Sequence, residues 1–284
     1  MLRTMKRRPV VVIMAMTLVS MMLWIPVAGA ATETIVGSQL RATFTYHGTY
    51  PQSKEARLTI WKSGTVIYDE QVHSSWCGSE CWPNSNAGPV RVLHIVHLSS
   101  SGDAAVVLDL FSGGAHCCAI EQVFSIGATS HVTRREHNFG NPGVRLVKLG
   151  SGATTYFLSA NDAFAYEFTD YAASGMPIEV LSFSHSSFHN VTKNFPRLIA
   201  GDAAQWMRAF KSQASSKYQD SVGVIAAWAA DEDMLGHSRA VATFLSAQAS
   251  AGHLRSALDP VVASGKKFVV ALQAFLRRQG YATQ

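Results

Sequence analysis

Eleven histidines, four cysteines and a thin scatter of carboxylates are the side chains of this 284-residue sequence that could do chemistry. The cysteines come as Cys77-x-x-x-Cys81 and as the neighbours Cys117-Cys118, which follow His116. Thiolates and imidazole are zinc ligands, and His73, His94 or His97 lies near enough in sequence to complete a set. The spacing, however, fits no zinc-finger or ribbon pattern. An even number of cysteines in an exported chain forms disulfides first, so Cys77, Cys81, Cys117 and Cys118 are expected to be oxidised in pairs. Neighbours on an extended strand point to opposite faces. We therefore expect the 77–81 loop to be tied to the 117–118 segment. Each such bridge closes about forty residues and contributes about 3–4 kcal/mol in the chain-entropy model.

His116 is the histidine to watch. Gly113-Gly114 lets backbone or ligand come close to it, and Asp109 lies upstream on the same strand. Paired with Asp109 or Asp162, it would serve a metal-dependent or His/Asp hydrolase; its alternative role is to hydrogen-bond the cysteine loop. Asn161-Asp162, with Glu167 and Asp170, has the makings of a glycosidase-type acid cluster. An acidic turn capping a strand explains the same residues, and is preferred. His185 and His189 would form a metal pair on a helix, but their segment is strand and turn, where that spacing spans about 13 Å. Trp61, Trp76 and Trp82 offer an aromatic platform; Trp76 and Trp82 flank the cysteines, so they either cover a disulfide or stack on a ligand. No Gly-x-Ser-x-Gly elbow, His-Glu-x-x-His pair or phosphate-cradling loop occurs. No cofactor and no metal site is implied.

The first thirty residues have their own grammar. Arg3, Lys6, Arg7 and Arg8 precede an apolar run from Val10 to Ile25, and Ala28-Gly29-Ala30 offers a small-x-small cleavage site. This is the plan of a secretory signal peptide, with an uncleaved anchor as the alternative. These residues hold four of the 24 basic side chains and none of the 19 acidic ones, so residues 31–284 carry 20 against 19. Four of the five formal positive charges thus belong to the leader. Nucleic-acid binding, which needs a clustered basic face, is excluded as an expectation. No later apolar run is long enough to span a membrane.

The elements that must position these residues change character once. Up to residue 195 the sequence reads as strands and turns. Leu40–Tyr46 alternates, Arg57–Asp69 is a hairpin around Ser63-Gly64, and Ala104–Phe111 is a nearly continuous apolar run suited to a buried strand. A weak repeat joins the segments following Leu98 and Leu149, about fifty residues apart, the size of one propeller blade. From Pro196 the period becomes helical, with Asp202 as an N-cap and helices over Ser221–Leu235, Ser238–Ser250 and Lys266–Gln279. Strands followed by helices give an α+β class: residues 1–30 as signal, 31–195 as a β-rich disulfide-containing domain, 196–284 as a helical bundle.

The stretch Ala105–Cys118, with Asn161–Tyr166 and Phe188–Thr192, resembles uncharacterised exported bacterial proteins carrying degenerate blades similar to FG-GAP, integrin-α-like repeats. The resemblance covers about residues 90–195 and implies antiparallel propeller-blade or sandwich-like sheets. Loops 99–103 and 150–153 lack the alternating carboxylates of the calcium-binding form, so it implies no calcium here. It brings no activity with it. The sequence therefore favours a secreted or periplasmic, non-enzymatic binding or envelope-associated module with a protein or glycan ligand.

Overall fold

The computed structural model describes residues 30–48, 54–78, 81–84, 91–99, 104–114, 117–216, 220–256 and 263–281. The leader and His116 lie outside them. Among the described residues the class is α+β, with antiparallel sheets first and four helices after.

The first sheet is a meander of β1 (Ala30–Gly37), β2 (Leu40–His47), β3 (Lys54–Lys62) and β4 (Thr65–Gln71), each paired with the next. Its β3–β4 connection is the predicted two-residue turn, with Ser63 and Gly64 at φ 49° and 86°. Positive φ at both central positions matches the twist of the flanking strands. The second sheet has β7 (Ala104–Phe111), β8 (Ala119–Ile126) and β9 (Val132–Gly140). Two short strands, β5 (Trp82–Pro83) and β6 (Leu93–His97), share the outer edge of β7. The third sheet is again a meander: β10 (Arg145–Lys148), β11 (Thr155–Ala160), β12 (Ile178–Ser184) and β13 (Ser187–Asn190).

The three sheets stack face to face. On β7, Val106, Leu108 and Leu110 join a core with Phe44, Leu58 and Ile60 of the first sheet. The alternate residues Ala105 and Val107 join a second core with Phe157, Leu181 and Phe183 of the third. Strand side chains alternate between faces, so β7 and β8 must be apolar on both. The unbroken run Ala-Ala-Val-Val-Leu of β7 is the sequence consequence.

The helices are α1 (Pro196–Ala214), α2 (Val222–Met234), α3 (Ser238–Ser250) and α4 (Gly265–Arg278). α2 is buried from Val222 through Asp231 and forms the centre of the bundle. α4 presents Phe268, Leu272, Phe275 and Leu276 to it, as the periodicity predicts. One boundary differs: α1 begins at Pro196, six residues before Asp202, because proline suits the first helical turn. Asp202 is therefore not a cap but a mid-helix side chain with another role.

The bundle meets the β layers at a glycine joint. A Cβ on Gly175 would stand 2.8 Å from the Gly223 carbonyl, and one on Gly223 would collide with the Ala173 carbonyl. Both opposing atoms are backbone and cannot rotate away. Gly223→Ala is expected to lower stability by about 1–3 kcal/mol, as overpacking does. Chemical denaturation will measure it, and an unchanged midpoint would show that the joint yields.

Candidate functional site: a row of titratable groups across the middle sheet

Alternation on β7 puts Asp109 on the face of Ala105 and Val107, toward the third sheet. On β8 it puts Glu121 with Ala119 and Val123 on that face. Register then aligns them. Asp109 stands directly opposite Glu121, and Glu121 opposite His137 of β9. His94 faces Val107 across β6, one pair along, and its Nε2 lies 3.1 Å from Asp109 Oδ2. Four adjacent strands thus contribute His94, Asp109, Glu121 and His137 to one row.

Their surroundings set their charges. Glu121 is 1% exposed, and its carboxyl is pushed well above the usual carboxylate range, first by burial and then by the charge and hydrogen bond of Asp109. A proton held on Glu121 and donated to Asp109 avoids two neighbouring buried charges. Burial alone would pull the His94 imidazole down, but the hydrogen bond and charge of Asp109, with Glu33 further off, carry it above its ordinary value. Burial pushes His137 down; its ring sits 4.6 Å from that of Phe139 and 5.0 Å from that of Phe188. The row therefore runs from an imidazole biased toward its cation, past Asp109, through a carboxyl biased toward its protonated form to an imidazole biased toward neutrality. The His94 and Asp109 side chains keep 27% and 17% of their surface exposed, so the row opens to solvent at that end. Such an arrangement can hold a proton at its buried centre. Among the described residues no group of three His, Cys, Asp or Glu side chains is disposed to hold a metal.

Asp162 belongs elsewhere. Its Oδ1 accepts from the backbone N and Nδ2 of Asn141 at 3.0 and 2.9 Å, while Asn161 caps the short 3-10 turn Asp162–Phe164 through Ala163 N. This is the turn-capping role. Asp109 and Asp162 share no hydrogen-bond partner, and His116 lies outside the described residues. The His189 ring nitrogen lies 3.1 Å from the Ser184 carbonyl, and His185 stands at the β12–β13 turn at φ 49°.

The cysteine pairing corrects the sequence expectation. Cys77 is joined to Cys81, and Cys117 to Cys118. A bridge-like pair of hydrogen bonds between Ser74 and Gly78, at 3.0 and 2.8 Å, doubles the first loop back on itself, with the Cys77 and Cys81 Cα atoms 5.1 Å apart. The alternation argument for the second pair assumed a strand. Cys117 and Cys118 instead lie before β8, in a loop closed by Ser112 N to Cys118 O and Gly114 N to Cys117 O, both 3.1 Å. Trp82 is 8% exposed, its Nε1 positioned where a Cβ on Gly113 would stand at 2.7 Å; it walls the β7–β8 connection. Trp76 is 56% exposed.

A second carboxyl pair lies where the third sheet meets the bundle. Asp202 Oδ2 accepts from Ile178 N at 3.0 Å and Trp206 Nε1 at 2.9 Å. Asp231, fully buried on α2, is pushed up to about 10 by burial and then by Asp202.

No family model matches the chain, and no solved structure matches it. A curated protein similar to it is a probable thylakoid lumen protein of Synechocystis sp., 24% identical over 193 residues, covering 66% of this chain. The chain spans 55% of that relative's length.

Glu121, Asp231 and His94 are all raised, so the folded chain binds protons that the unfolded chain releases. Their contribution is fully present below the unfolded values, about 4 for the carboxyls and about 6.5 for histidine. It is lost as pH rises through the folded ones. Glu121→Gln keeps a donor toward Asp109 but cannot ionise. It is expected to raise stability at pH 8 by about 1–3 kcal/mol and to flatten the decline between pH 5 and 8. Urea unfolding across that range checks this; a variant with the parent's slope would place the titration elsewhere. Removing the small Cys77–Cys81 ring (Cys77→Ser with Cys81→Ser) is expected to cost about 2 kcal/mol, less than a forty-residue loop would.

Proposed function

We propose that the chain is an extracytoplasmic, non-enzymatic binding module. One observation carries this reading: the two carboxylates that the sequence offered as partners of His116 are committed to neighbours within the fold. Asp109 is held by His94 and Glu121, and Asp162 straps the Asn141 turn. Export is supported by the leader's charged, apolar and small-residue regions, by the pairing of all four cysteines, and by a relative named for a lumen. No helix among the described residues is long and apolar enough to cross a membrane. The likeness to blade repeats belongs to the same proposal, and the blade-sized four-stranded meanders stacked face to face support it.

Cell fractionation followed by intact-mass measurement without reductant tests the proposal. The expected product is an extracytoplasmic chain beginning at Ala31 and lighter by the four hydrogens of two disulfides. Full-length chain with free thiols in the cytoplasm would overturn it. A screen with ester, phosphoester and glycoside substrates is expected to give no turnover. Turnover lost in Asp109→Asn or His116→Ala would replace the binding module with a hydrolase.

A further inference from the structure

A cavity of about 580 Å³ opens where the third sheet, the end of α2 and the end of α4 converge. That volume lies within the range of small-molecule sites. Its walls are unlike those of the other clefts. Asn161, Glu179, Asn190, Lys193, Gln279 and Tyr281 all line it, so amides, a carboxylate, an ammonium and a phenol converge on one space.

The fold holds several of these groups in place. Tyr281 is buried, its ring packed edge-on against Phe164 at 5.6 Å, and its hydroxyl accepts from Asn161 Nδ2 at 2.9 Å. Asn190 is fixed at both ends. Its Nδ2 donates to Glu179 Oε1 at 2.9 Å, and its Oδ1 accepts from Thr192 N and Oγ1 at 3.0 and 2.7 Å. Glu179, on β12, is thereby oriented by an amide and not by a cation: no ion pair to it occurs among the described residues. Burial pushes its carboxyl upward, so the group lacks the hydration that would otherwise stabilise its charge.

We infer that this cavity binds a neutral polyhydroxylated ligand of the saccharide class. A carboxylate accepts hydrogen bonds from adjacent hydroxyls, and side-chain amides donate to their lone pairs while accepting from the next hydroxyl. Glu179 bonded to Asn190, with Asn161 and Gln279 on the same lining, supplies acceptors and donors to one space. A ligand hydroxyl on Glu179 would add to the hydrogen bond that Asn190 gives it. A strongly anionic ligand is disfavoured by Glu179, and a dicationic one by Lys193 at the same wall. The inference rests on the binding-module reading and names its ligand class and site.

Calorimetric titration of the full chain with cellobiose, maltose and N,N′-diacetylchitobiose tests it. At least one disaccharide is expected to bind saturably. Glu179→Ala is expected to weaken it about tenfold or more, because a hydrogen bond to a charged group is lost. Lys193→Ala and Gln279→Ala, both at exposed positions outside the core, serve as folding-safe variants; each is expected to weaken binding about threefold or more. Absence of binding by all three sugars overturns the ligand class. Binding that is unchanged in all three variants overturns the site. Proton NMR of the bound sugar separates the underlying reading: cleavage of the glycosidic bond would remove the non-enzymatic module while leaving the cavity as the sugar site.

Discussion

A charge buried in a sheet that is covered on both faces is costly unless it is paired, and the second sheet of this protein is covered on both. Its strands β7 and β8 give one set of side chains to the first sheet and the alternate set to the third. The fold depends on that double burial, because each outer sheet packs one apolar face there. The same constraint bears on the four titratable residues of its third-sheet face, which form a row. Asp109 would be an uncompensated charge without His94 on one side and a protonated Glu121 on the other. His137 escapes the penalty differently, by staying neutral among phenylalanine rings.

Much of this was legible in the sequence where pattern and burial coincide. The Ala104–Phe111 run became β7 with unchanged ends, Ser63-Gly64 became the hairpin turn, and Ser238–Ser250 became α3. What escaped was set by register. Nothing local to Glu121 says that it stands opposite Asp109, although equal parity along 105-107-109 and 119-121-123 would have placed both on one face. His94 was equally hidden, since pairing with Asp109 requires knowing that β6 docks on β7. Asp202 misled because it is a good capping residue type, whereas its carboxylate reaches across to a strand backbone and an indole. The cysteine pairing failed through the assumption that adjacent residues 117 and 118 continue a strand, when Ser112 and Gly114 fold them into a turn.

The outer face of the third sheet carries the helices, and the joint is made by polar as well as apolar means. Gly175 and Gly223 let backbone meet backbone, and Asp202 of α1 ties that helix to the start of β12, with the buried Asp231 of α2 close enough to feel its charge. Three elements ending at one place cannot all pack flush, since side chains at chain ends diverge. The polar cavity beside Tyr281 is the space that this convergence leaves.

The meander order has a kinetic consequence. In the first and third sheets every strand bonds to its immediate neighbours in sequence. Loop-closure entropy is small for such pairings, so each sheet can zip as its own segment becomes available. A polypeptide released progressively from its amino end would complete the first layer, then lay the second on it and the third on that. The helices, last to emerge, would find a finished surface to land on. The middle layer would spend only a short interval with a greasy side bare, which is when an all-β assembly is most prone to stick to its neighbours.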